Sequence, residues 1–339
     1  MAFESHEHHN MIAAPAGDTA DQVIWRTENG IALAWGTTVP TDATSGYCIG
    51  CIYIHDDGGS GTAVYINEGT ASSCDFNPVP TQASADSMIN GIDDDETAGT
   101  AAGTGPSPLI WNDSKWFEAL LDPTVGFCYF NDFLGQIDVT TGDGFTLTQS
   151  NSTGTISGLE TDQGGVLVVT SAGAQADDSL NVQLKNCLFK PAAGVKIRFE
   201  ARVNMTDATQ QYYLGLAGVQ TALLASGAIE DTVDKCGFFH HAASTDNKIS
   251  AISSRTSSEE IDADVAANAD NTYVKLGFVI DGLTSVTYYV NGVSVGTCVD
   301  TSDIPNAVMC LSMFAGYEDA AATMHVDWVR ILQEGGRAT

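Results

Sequence analysis

Glu200 sits in the alternating stretch Lys196-Ile-Arg198-Phe-Glu200-Ala-Arg202, a carboxyl on the face of an expected strand. Such a carboxyl is one ingredient of glycosidic bond hydrolysis. That chemistry needs a nucleophile and an acid together, ~5 Å apart for retention. The pattern Glu-x-Asp-x-(x)-Glu along one strand is missing, and Asp327 in His325-Val-Asp327-Trp328 has no second carboxyl two residues on. Arg198 and Arg202 flank Glu200 on its own face, and their charges are expected to hold its carboxyl low, which is wrong for an acid. The sequence therefore predicts no enzyme and assigns no catalytic residue. Lys196, Arg198 and Arg202 are three of only thirteen basic residues. On a solvated strand face they would pair with acids of neighbouring strands, each pair worth ~0–1 kcal/mol. The competing reading is a contact stripe for an acidic surface, such as a neighbouring copy of the chain.

His6, His8 and His9 with Glu7 have metal-ligand chemistry, but an arm without pattern pays ordering entropy to use it, and no second cluster completes a shell. Cys48-x-x-Cys51 invites zinc or redox readings. Strand alternation would send positions i and i+3 to opposite faces, so both are expected as packing thiols. Asp93-Asp94-Asp95-Glu96 offers clustered oxygens without EF-hand spacing and reads as a solvated acidic loop. Trp25, Trp35, Trp111, Trp116 and Trp328 include candidates for a sugar-stacking platform, although anchoring in a core or interface is the more usual use of such rings. No metal, cofactor or ligand-binding residue is assigned.

The elements around these residues are β-strands. In residues 272–299, Val274, Leu276, Phe278 and Ile280 alternate with their neighbours, as do Val286, Tyr288 and Val290 after an Asp281-Gly282 turn. Asn291-Gly292 then reverses the chain into Val293-Ser-Val295. Asn-Gly between alternating runs is a strong hairpin signal, because both residues tolerate the positive φ of a type I′ turn. Further strands are expected at Val23–Leu33, Ile49–His55, Thr62–Asn67, 144–149, 165–170, 180–189, 195–205, 211–219, 236–241, 307–315 and 323–332. Short strands with turns between them predict a mostly β protein with an antiparallel jelly-roll sandwich. The one expected helix runs from Asn112 to Leu121, with Asn112 or Asp113 as its cap and Pro123 beyond its end.

The organisation reads as a flexible arm over 1–22, a small β module over 23–80, a linker with one short helix over 81–124, and the sandwich over 125–339. The chain has 339 residues and a formal net charge of −30. That charge repels phosphate backbones and anionic lipid surfaces, which excludes nucleic acid and membrane as partners. No run reaches the ~18 apolar residues of a membrane span. MAFESHEHHNM has neither a basic segment nor an apolar core, so no secretion signal is read and a cytoplasmic site of synthesis is expected. The eight cysteines are accordingly expected as buried thiols.

Residues 127–334, with FCYFNDFLG, KIRFEARVN, YYLGLAGV, YVKLGFVIDG, VTYYVNGVSVG and HVDWVRILQE in that order, resemble the concanavalin A-like or laminin-G-like jelly roll. Residues 36–79 resemble the N-terminal module of tailed-bacteriophage virion proteins of the head-fibre or capsid-decoration type. Pro40-Thr41, Gly46 and Tyr65-Ile66-Asn67-Glu68-Gly69-Thr70 carry that second resemblance. It implies a non-enzymatic structural protein on the capsid surface of a virion, with one module docking on the shell and the sandwich projecting outward. The partners it implies are the major capsid protein and further copies of the chain, with a homotrimer as the expected oligomer. A host-surface glycan is the partner of the alternative reading, a lectin-like adhesin. A polysaccharide hydrolase is the third reading.

Overall fold

The computed structural model describes residues 12–13, 22–58, 62–79, 105–134, 144–150, 154–158, 165–171, 178–220, 223–225, 228–229, 232–241, 247–256, 258–316 and 322–335. The chain divides into two compact units, Met1–Met88 and Ile89–Thr339. The His6–His9 cluster and Asp93–Glu96 lie outside the described residues.

The N-terminal unit is one six-stranded sheet with its strands in sequence order: β1 (Ile12–Ala13), β2 (Gln22–Thr27), β3 (Gly30–Gly36), β4 (Tyr47–His55), β5 (Val64–Asn67) and β6 (Phe76–Pro78). The β3–β4 pair is parallel and the other pairs are antiparallel. The single strand expected over Val23–Leu33 is in fact a hairpin. Gly30 turns the chain at φ +125°, and a Cβ there would come within 2.6 Å of the Gly46 carbonyl oxygen. Only glycine fits such a position. One face of the sheet buries Val23, Ile31, Ala34, Tyr47, Cys51, Tyr53, Cys74 and Phe76.

The second unit is a sandwich of two antiparallel sheets, with two short helical turns lying on one of them. In chain order its elements are α1 (Pro108–Trp111), α2 (Trp116–Leu121), β7 (Gly126–Asn131), β8 (Phe145–Ser150), β9 (Thr155–Gly158), β10 (Leu167–Thr170), β11 (Ser179–Leu184), β12 (Lys196–Met205) and β13 (Gln211–Ala217). There follow β14 (Leu224–Ala225), β15 (Ala228–Ile229), β16 (Lys235–His240), β17 (Lys248–Arg255), β18 (Ser258–Ala267), β19 (Val274–Asp281), β20 (Ser285–Val290), β21 (Val293–Cys298), β22 (Cys310–Gly316) and β23 (Thr323–Glu334).

One sheet runs β21-β20-β19-β12-β23-β10-β9, with β7 also paired to β23; the other runs β18-β17-β16-β13-β22-β11-β8. Neighbours distant in sequence, such as β12 beside β23, make this a jelly-roll arrangement. Side chains alternate across each strand, so the inward set forms one continuous core between the sheets. Within it Phe199 stacks on Phe278 at 4.8 Å, and Tyr288 meets Phe238 of the facing sheet edge-on at 5.7 Å. Asn291 and Gly292 both take positive φ, +50° and +74°, as the hairpin reading requires.

The helix expected from Asn112 to Leu121 is instead two turns, broken between Asn112 and Lys115. Neither α1 nor α2 has a side-chain cap. Arg198 of β12 takes the Ile110 carbonyl and the Asp113 carboxylate, the groups that would have continued and capped that helix. Among the described residues no helix is long and apolar enough to cross a membrane.

Candidate functional site

Two surfaces are built from the residues singled out by the sequence. The first is the outward face of β12, β19 and β23 in the sandwich. Outward side chains there are Arg198, Glu200, Arg202, Lys275, Val279, Arg330 and Leu332. This face is covered: Ile110, Trp111 and Ala119 from α1 and α2 pack with Leu332, flanked by Trp116, Cys128, Val279 and Tyr289. Gly277 makes the close approach possible, since a Cβ there would lie 2.5 Å from Ile110 Cδ1 and 2.9 Å from the Phe199 carbonyl oxygen.

Charge is matched under this cover almost group by group. Glu200 is 1% exposed; its Oε2 accepts the Ser107 backbone N–H at 2.9 Å and the Trp111 indole N–H at 2.7 Å. Arg198 binds Glu334 at 2.8 Å and Asp113 at 2.9 Å as well as the Ile110 carbonyl. Lys275 donates to the Gly105 carbonyl at 3.0 Å. The Arg330 guanidinium lies 4.4 Å from the Trp111 ring centre and 4.0 Å from that of Trp116, partly desolvated cation–π contacts with two rings that meet edge to face. Burial lowers the Arg330 pKa to about 10, against the nearby Glu200 charge. Asp113 is pushed up by burial, but the Arg198 charge and hydrogen bond outweigh this and hold its carboxyl below the usual range.

The sequence reading of Glu200 needs correction. Its carboxyl is raised, by burial first, against the pull of Ser107, Trp111 and Lys275. The two flanking arginines do not hold it low, because Arg198 is spent on Asp113 and Glu334, and Arg202 on Asp327. The basic stripe does pair with acids of neighbouring strands, Lys196 with Asp281 at 3.9 Å included. It is not a solvated face, however, since the Arg198 side chain is almost wholly buried. A raised pKa is a frequent mark of a working acid. Here the carboxyl is sealed beneath Trp111, with both of its donors coming from the covering segment.

The second surface is the other face of the N-terminal sheet. Trp25, Leu33, Ile52 and Ile66 lie side by side across β2 to β5, and Trp35, Ile54 and Val64 form the next row. Trp25 is 55% exposed, and Ile52, Ile54 and Ile66 are 42%, 40% and 37% exposed. At ~4.8 Å per strand the rows are ~15 Å wide, in the size range of apolar patches that carry function. YCIGCIYIH is largely apolar on both sides of the strand, which allows such a face without choosing which side stays open.

The residues that carried the virion-protein resemblance hold this unit together. Asn67 is buried; its amide donates to the Tyr47 and Cys48 carbonyls at 3.3 and 2.9 Å, and its carbonyl accepts the N–H groups of Gly69 and Asp75 at 3.0 and 2.9 Å. The Thr41 carbonyl accepts from Thr44 Oγ1 at 2.6 Å and Cys74 Sγ at 3.4 Å. Gly46 turns at φ +108°. Cys48 and Cys51 both pack on this core, because positive φ at Gly50 and a break in register after Ile31 bring them to the same side. The alternation argument for opposite faces fails there, although the packing role holds. Among the described residues no three or more His, Cys, Asp or Glu side chains gather as a metal site. Of the tryptophans, Trp111 and Trp328 are buried, Trp35 and Trp116 half-buried, and Trp25 exposed.

No family model matches the chain, and no curated protein matches it. Solved structures that resemble it include an endo-β-1,4-glucuronan lyase from the fungus Trichoderma reesei, at 11% identity and TM-score 0.41, over 60% of this chain and 94% of that one. A protein of unknown function from Shewanella oneidensis MR-1 matches at 14% identity and TM-score 0.44, over 67% and 97%. A Bacillus licheniformis β-glucanase matches at 12% identity and TM-score 0.42, over 60% and 97%. No activity is carried over from these proteins to this chain.

Proposed function

We propose that this chain is a non-enzymatic structural protein of a tailed-phage virion, a capsid-decoration or head-fibre component that attaches through its N-terminal unit. The observation that carries the reading is the open apolar face of Trp25, Leu33, Trp35, Ile52, Ile54 and Ile66. A sheet stabilised on one side by a core and apolar on the other gains ~25 cal/mol for each Å² of that second side it covers. Its occupants are further copies of the chain, as a homotrimer, and the major capsid protein. The motif residues around Asn67 build the unit that presents this face, their polar groups engaged in its internal hydrogen bonds, which suits attachment. The sealed state of Glu200 supports the non-enzymatic side of the reading.

Sedimentation of the full-length protein tests the self-association. The wild type should run as an oligomer, and the double substitution Ile52→Glu, Ile54→Glu should run as a folded monomer. A monomeric wild type, or a double variant that still assembles, overturns this part. Antibody labelling of intact particles should decorate the head. Virions that lack the polypeptide would defeat the proposal, and saturable binding to one sugar on a host-glycan array would replace it with the adhesin.

A further inference from the structure

Two cysteines distant in sequence meet on the outer side of the β22 sheet. In β22, Leu311, Met313 and Ala315 point into the sandwich core, which sends Cys310 and Ser312 to the opposite side. Cys187 lies in the connection between β11 and β12. That connection is tied to the start of β22: Leu188 and Phe189 N–H donate to the Met309 carbonyl at 3.0 and 3.1 Å, and Met309 N–H returns to the Phe189 carbonyl at 2.7 Å. The resulting Phe189–Met309 bridge places Cys187, just before it on one segment, beside Cys310, just after it on the other.

Their environments differ. Cys310 is fully buried, with its Sγ 3.4 Å from the Ala217 carbonyl oxygen, whereas Cys187 is half-exposed. The neighbouring Cys310 thiol and, to a lesser extent, the Val219 backbone N–H hold the Cys187 thiol below its ordinary value, against burial. The same contact, together with burial, pushes Cys310 up and keeps it protonated. An accessible thiolate backed by a buried thiol has the division of labour of an attacking and a resolving cysteine.

We propose that Cys187 and Cys310 form an oxidisable dithiol that reacts with small-molecule disulfides, Cys187 attacking and Cys310 resolving. In the first step the Cys187 thiolate forms a bond to one sulfur of the small disulfide RSSR, whose S–S bond breaks and releases RS⁻. In the second, Cys310 gives up its proton and attacks the Cys187 sulfur of the mixed disulfide, expelling the second thiolate. The protein loses two electrons and two protons; RSSR becomes two RSH. The new bond fastens the β11–β12 connection to β22.

The experiment uses the full-length protein and oxidised glutathione at neutral pH. Intact mass should fall by two hydrogens, and peptide mapping should join the Cys187 and Cys310 peptides. Cys310→Ser should stop at a stable glutathione adduct on Cys187, while Cys187→Ser should leave Cys310 unmodified. Before oxidation, iodoacetamide should label Cys187 roughly tenfold faster than Cys128, the half-exposed sandwich thiol that burial pushes up. Equal labelling of Cys187 and Cys128, a cross-link elsewhere, or wild-type protein that stops at the mixed disulfide would overturn the proposal.

Discussion

At Glu200, burial and hydrogen bonding pull in opposite directions, and burial wins. A carboxyl raised in the folded state contributes its full stability below the ordinary glutamate value of 4.5, where both states are protonated. As pH climbs from there the unfolded chain ionises first, and stability drains away through the raised folded value, at no more than about 1.4 kcal/mol per pH unit. Glu200→Gln lacks that titration. Urea-unfolding midpoints of the wild type should therefore fall relative to the glutamine variant as pH rises above 4.5; parallel curves would show that Glu200 titrates normally. Asp113 works the other way: its lowered carboxyl contributes above the ordinary aspartate value of 3.8 and loses its contribution as pH falls through the folded value. The sequence displayed Glu200 and both arginines but not their partners. Asp113, Glu334 and Asp327 lie far along the chain, and only the fold decides which acid each arginine meets. Asn67 was visible as part of a motif, although its four hydrogen bonds depend on a turn that returns Asp75 to its side.

Among the elements, α1 and α2 depend most on what lies beneath them. Two short turns without side-chain caps are not stable as isolated helices. They are held by Trp111, through its packing, its hydrogen bond to Glu200 and its contact with Arg330. Trp111→Ala should cost roughly 3–5 kcal/mol in urea unfolding, in line with other large-to-small core changes. It should also make residues 105–121 the first site of limited proteolysis; unchanged stability and cleavage would mean the segment is held elsewhere. Ser107-Pro108 was a readable helix start, since proline suits the first helical position. The stronger-looking Asn112-Asp113 cap signal drew the reading away from it. The hairpin over 272–299 was legible because period-two alternation and Asn291-Gly292 agree. The same Asn-Gly signal at Asn29-Gly30 divides the first strand in two. β18 was missed because SEEIDADVAA carries acids and small residues where a strand pattern expects apolar ones.

For the molecule as a whole, the proposed assembly through the N-terminal sheet would set apolar gain against charge repulsion. Each copy carries a formal charge of −30, and screening falls from ~30 Å at 10 mM salt to ~8 Å near 150 mM. Added salt should therefore raise the oligomeric fraction in sedimentation, while an association driven by opposite charges would weaken. The composition made the repulsion plain, and the apolar face was latent in the alternation of β4, which is apolar on both sides. Which side would be left open was not legible, because the parallel β3–β4 pairing chooses it. Gly277 gives the sandwich a separate kind of freedom. The absence of one methyl group there lets Ile110 settle onto the sheet, so a descendant with alanine at that position would begin to lift the cover. A buried ledge of arginines around one carboxyl would then be offered to the solvent, and a new binding surface would lie a single codon away.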